Sequence, residues 1–158
     1  MLGSLVRHLL WHARDWRESL RQQASALRAA PLDPAAAERA LELGVALEAI
    51  EPDRASAVEM YLVAWKAAHA HPLALNRARE LCQEIGDLPA AAKIARLEFQ
   101  HHEDPRFLWL EGVLWLDADQ PDRAVKPLLT ALKAMPDEQS LAASLATPRR
   151  EWPDVRGE

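Results

Sequence analysis

The chain has 158 residues, of which 49% are apolar and 27% charged, the balance of a globular protein rather than a disordered one. Its net charge of −5 argues against a dedicated nucleic-acid binder, which is usually basic. One cysteine excludes an internal disulfide, and no apolar run approaches the ~20 residues of a membrane span.

The first residues, MLGSLVRHLLWHARDW, do not read as a secretion signal. Arg7 and His8 interrupt the apolar stretch, and no small-residue cleavage site follows. With the lone Cys82, this points to the cytoplasm. Residues 1–30 hold Arg7, Arg14, Arg17, Arg21 and Arg28 against Asp15 and Glu18. They are net +3 and the remainder net −8, an asymmetry that suits head-to-tail contacts or an acidic partner.

Alanine and leucine dominate, glycine is scarce and alternating apolar–polar stretches are missing, so the fold class is all-α. Eleven prolines punctuate the chain, and proline suits the first turn of a helix but not its interior. In chain order the predicted helices are 2–13, 16–30, 35–50, 53–69, 73–85, 89–102, 106–118, 122–134 and 138–146. Short turns between them predict antiparallel hairpins. Pro127 falls inside the eighth segment, early enough for that helix to tolerate it with a bend.

Pro-Asp-Arg-Ala occurs twice, at 52–55 and at 121–124, 69 residues apart. DLPAA at 87–91 occupies the same place between them. Pro72 and Pro105 are 33 apart, as are Ala91 and Ala124. Such a period marks a repeat architecture, in which each hairpin buries its apolar face on its neighbour.

The repeats carry Leu43–Gly44, Ala57, Tyr61, Ala64 and Trp65 in one unit, and Gly112, Trp115, Ala124, Leu128, Ala131, Leu132 and Pro136 in another. Asp15–Trp16, Ala26, Leu27 and Pro31 mark an N-terminal unit; Leu75, Cys82, Gly86 and Ala91 mark a weaker one. In these residues the chain resembles the tetratricopeptide repeat family, whose period is about 34. The resemblance covers about residues 1–138. It implies a single domain over 1–158: a right-handed solenoid with repeats at about 1–33, 34–71, 72–104 and 105–138, and a cap helix and tail at 139–158. Gly44, Gly112, Ala57, Ala91 and Ala124 are then the sites of close helix approach, and bulky residues such as Tyr61, Trp65, Trp115 and Leu128 fill the space between.

No glycine-rich phosphate loop or nucleophile elbow is present, so no catalytic residue and no cofactor are expected. Cys82 shares an apolar side with Leu75, Ala78 and Leu81 and reads as packed. His8 and His12 are four apart, and His69, His71, His101 and His102 fall at two helix ends. Capping or surface roles are preferred there over a metal site, which lacks supporting cysteines. Glutamates such as Glu38, Glu42, Glu48, Glu80 and Glu84 read as a solvated surface.

The resemblance implies a non-catalytic module that binds a protein or peptide through its concave groove. The helix 105–118 is apolar nearly all round. Trp109, Leu110, Val113 and Leu116 are its expected anchors, with Arg106, Asn76, Arg77 and Glu80 setting orientation. The tail, with Trp152 and Val155, could fold over this patch instead. Self-assembly into a homo-oligomer is the alternative. Membrane attachment through Leu2, Leu5, Val6, Leu9 and Leu10 ranks below their use as a packing helix.

Overall fold

The computed structural model describes residues 2–49, 54–68 and 72–135. All described secondary structure is helical: α1 (Leu2–Ala29), α2 (Pro34–Glu48), α3 (Arg54–Ala67), α4 (Pro72–Glu84), α5 (Leu88–His102), α6 (Pro105–Asp117) and α7 (Pro121–Ala134). The expected helix at 138–146 lies outside these residues, as do Pro52 and Asp53 of the first Pro-Asp-Arg-Ala copy and Trp152 and Val155 of the tail.

The first two expected helices are one. Residues 2–13 and 16–30 merge into the continuous α1, so residues 1–33 hold a single helix rather than a hairpin. The reason is local: no proline and, after Gly3, no glycine occurs before Pro31. Asp15 alone costs a helix interior only a few tenths of a kcal/mol, about 0.7 at most.

The starts of α2, α5 and α6 share a device. Asp33 accepts a hydrogen bond from the Ala36 amide at 2.6 Å, and Pro34 opens α2. Asp87 caps α5 through the Ala90 amide at 3.1 Å, with Pro89 behind it. Asp104 caps α6 through the Arg106 amide at 2.9 Å, and Pro105 follows. An aspartate just before a proline satisfies an orphan amide while the proline needs no partner for its own nitrogen. In α7, Pro121 starts the helix and Asp122 lies in its first turn. Pro127 is buried within α7, which runs on to Ala134. Helix α4 ends at Glu84, and in the turn that follows Gly86 has a φ of 83°, left-handed backbone that glycine adopts at little cost.

The helices gather into two compact units that divide between Gly86 and Asp87. In the first, α2 and α3 form a hairpin, α4 packs on α3, and α1 lies along α2. Ala36, Ala40, Leu43 and Leu47 of α2 are buried with Ala57, Met60, Tyr61 and Trp65 of α3. The two helices close where Gly44 lies under the Tyr61 ring: a Cβ there would stand 3.0 Å from Cε1. Arg28 of α1 pairs with Glu59 of α3. In the second unit α6 lies between α5 and α7. Its core contains Leu108, Trp109 and Ala131, packed with Phe99, Val113, Leu128 and Met135. Here the close approach is Gly112, whose absent Cβ would fall 2.4 Å from Leu128 Cγ and 3.3 Å from the Ala124 carbonyl oxygen.

Gly112→Ala should therefore destabilise the second unit although alanine favours a helix by about 1 kcal/mol, because overpacking costs about 1–3 kcal/mol. Urea unfolding of Gly112→Ala alone and with Leu128→Ala checks the cause: the loss should vanish or reverse in the double variant relative to Leu128→Ala.

Candidate functional site

The residues expected to bind a partner are mostly committed to the fold. Arg77 of α4 stands at the centre of a charge network. Its Nε donates to Glu48 Oε1 at 2.9 Å, and its Nη1 reaches Glu80 at 2.9 Å and Glu84 at 3.2 Å. The Tyr61 hydroxyl donates to the other oxygen of Glu48 at 2.8 Å. Helices α2, α3 and α4 are thus joined through one carboxylate. Asn76 donates to Glu80 at 3.3 Å and accepts from Arg79, which also donates to Gln83 at 3.0 Å.

The ionisation states follow. Hydrogen bonding by Arg77 holds the Glu48 carboxyl below its usual range, against the opposing effect of burial. Burial, then the bond to Glu48, raises the Tyr61 hydroxyl, so it stays a donor. The Glu48 bond raises Arg77 in turn. Asn76, Arg77 and Glu80 are therefore tied into one hydrogen-bonded network.

The residues expected as anchors on α6 differ in exposure. Trp109 is only 4% exposed and belongs to the core with Ala131 and Leu108. Leu110 is buried, Val113 packs half-buried against the same core, and only Leu116 offers substantial apolar surface. A helix that is apolar on every side carries no mark of which side is outward. Arg106 turns back on its own cap, reaching Asp104 through Nε at 2.8 Å. On the opposite side of α6, Glu111 is buried beside Arg96, at 2.8 Å, and accepts from Trp115 Nε1 at 3.4 Å. Burial raises its carboxyl despite Arg96. Arg123 of α7 lies 4.9 Å over the Trp115 ring, a cation–π contact.

The open site is elsewhere, between α1 and α2. A groove of about 500 Å³ is lined by Trp16, Leu20, Gln23, Ala26, Leu27 and Ala30 of α1 and by Arg39, Glu42, Leu43 and Ala46 of α2. Leu20, Leu27 and Leu43 form its buried floor, while Trp16 is 53% exposed. On α1, Trp16, Leu20, Gln23 and Leu27 recur at four- and three-residue steps, which align them along one side of a helix. The Gln23 side chain donates to Ser19 of its own helix, at 3.2 Å. Arg39 and Glu42 form no ion pair among the described residues, in contrast to the filled network around Arg77. This groove was not legible in the sequence, because residues 1–33 read as a hairpin and Glu42 read as solvated surface.

Other candidates are accounted for by packing. Cys82 is buried. His102 stacks on Phe107 with centroids 5.2 Å apart, and His101 meets it edge-on at 4.7 Å. Burial first, then His101, lowers the His102 pKa. His69 and His71 lie outside the described residues. Among those described, no group of three or more His, Cys, Asp or Glu could hold a metal ion, and no helix is long and apolar enough to cross a membrane. No family model matches the chain, and neither a curated protein nor a solved structure matches it.

Two outcomes check these assignments. Trp109→Ala should cost about 3–5 kcal/mol in chemical denaturation, the usual loss for a buried tryptophan, whereas a surface anchor would cost little. Glu48, whose folded pKa is depressed, contributes stability above its ordinary pKa and loses it as pH falls through the folded value. Urea titrations from pH 7 to pH 3 should therefore show a shallower acid loss in Glu48→Gln. Glu111 has the opposite sign: its charged form is disfavoured in the fold, so Glu111→Gln should not lower stability at pH 7.

Proposed function

We propose that this chain is a non-catalytic helical-repeat module that binds an amphipathic segment of another protein in the α1/α2 groove. The observation that carries this reading is a half-exposed tryptophan, Trp16, standing beside a floor of Leu20, Leu27 and Leu43. Exposed tryptophan bordering an apolar groove is costly in water and is enriched where partners dock. The groove runs along two helices, which suits a helix laid in with apolar residues at three- and four-residue steps. Arg39 and Glu42 at the same groove give one cation and one carboxylate to set the direction of the bound segment.

The architecture within which this groove sits is a tetratricopeptide-like right-handed solenoid. Support comes from equivalent residues of two hairpins: Gly44 under Tyr61 and Gly112 under Leu128, with Ala57, Ala91 and Ala124 buried. Solenoid modules hold partners by extended surfaces rather than closed pockets, which fits an open groove and a cytoplasmic scaffold role.

The test uses a photo-crosslinking residue at Gln23, with Val125 as control position, in the native host. The Gln23 position should yield a defined crosslinked partner that the Val125 position does not. Trp16→Ala should reduce its recovery at least tenfold, with an unchanged melting temperature. Equal recovery from Trp16→Ala, or the same partner at both positions, would contradict the proposal.

A further inference from the structure

Helix α7 buries Ala124, Pro127 and Ala131, and its Leu128 packs with Met135 against the core of the second unit. Val125, Leu129 and Leu132 are instead 53%, 52% and 38% exposed. Their steps of four and three residues set them in one stripe along the helix, the spacing of a helix–helix seam. Three large side chains in a row are not the scattered apolar exposure of an ordinary surface.

The cations beside this stripe lie along one of its edges. Lys126 and Lys133 are exposed, and each directly follows a stripe residue, Val125 and Leu132. They are two turns apart, about 10 Å along the helix. Neither forms an ion pair among the described residues, whereas Arg123 is engaged over Trp115. Charged residues flanking a seam in this way select the partner and its direction.

We propose that this edge of α7 docks an acidic amphipathic helix of another protein. Its apolar residues recur at steps of three and four, and its carboxylates, two turns apart, meet Lys126 and Lys133. Two other occupants fit less well. A second copy paired antiparallel about a twofold axis would set the lysine edge against itself, with like charges opposed. An anionic bilayer would also meet Asp122, which is exposed at the start of the same helix, seven residues before Leu129. Covering the apolar stripe supplies the affinity, while the exposed lysines contribute mainly to the choice of partner. The site lies within the second unit, so the inference does not use the α1/α2 groove and stands apart from the binding role assigned to it.

The probe is a synthetic helical peptide of about four turns, with leucines at the seam positions and glutamates at the flanking ones. A second peptide carries lysines in place of the glutamates. Fluorescence anisotropy with the full chain at low salt should show the glutamate peptide bound about tenfold tighter, a difference that shrinks as salt rises. The double variant Lys126→Glu, Lys133→Glu should reverse the preference. Leu129→Asp should weaken binding of the glutamate peptide about tenfold, whereas Val45→Asp, at an equally exposed position of α2, should leave it unchanged. Failure of the glutamate peptide to bind, an unreversed preference, or equal effects of Leu129→Asp and Val45→Asp would overturn the proposal. So would self-association that Leu129→Asp abolishes, which assigns the edge to a second copy. Binding to phosphatidylserine vesicles that is lost in the double variant would assign it to a lipid surface and overturn the proposal equally.

Discussion

Close approach of paired helices is the constraint on which the rest of the structure depends. At Gly44 the Tyr61 ring occupies the space a side chain would take, and at Gly112 the Leu128 side chain does so. Both contacts join the first and second helices of a hairpin, α2 with α3 and α6 with α7. Once the backbones are that near, the buried alanines at 36, 40, 57, 124 and 131 become necessities, since larger side chains would push the pair apart. The large residues then have to sit at the margins of each hairpin, where the next helix covers them.

Charge follows the same geometry. Where helices have converged, the polar side chains have found one another: Glu48 serves Tyr61 and Arg77 together, and Glu111 serves Arg96 and Trp115. Burying part of these groups is tolerable because each is hydrogen-bonded. Along α1 the convergence is looser, and there Arg39, Glu42 and half of Trp16 remain open to solvent. The contrast between engaged and open polar groups separates the closed helix faces from the open α1/α2 groove.

Much of this was legible in the residues. Proline positions marked the starts of α2, α4, α5, α6 and α7 to within a residue or two, and the small residues at 44, 57, 91, 112 and 124 marked buried positions of close packing. Two things were not legible. Asp15 and Trp16 resembled a turn only because a repeat was expected there; the local chemistry, with no proline or further glycine, permits an unbroken helix. The orientation of α6 was the other. Trp109, Leu110 and Leu116 are chemically equivalent as anchors, and only the packing of α5 and α7 around α6 decides that Trp109 is core while Leu116 is surface. Periodicity fixes which residues share a face, but not how many faces find a neighbour. The α1/α2 groove stayed hidden for a related reason, since it depends on how far two helices stand apart.

The most direct test of the groove as the binding face needs no knowledge of the natural partner. Peptides selected from a random library on the folded chain can be mapped by NMR chemical-shift perturbation on the labelled protein. The account predicts shifts centred on the Trp16 indole, the Gln23 side-chain amide and the Leu20 and Leu43 methyl groups, with the Arg77 network unmoved. Selected peptides that instead perturb Arg77, Glu80 and Leu116, leaving Trp16 unchanged, would contradict it.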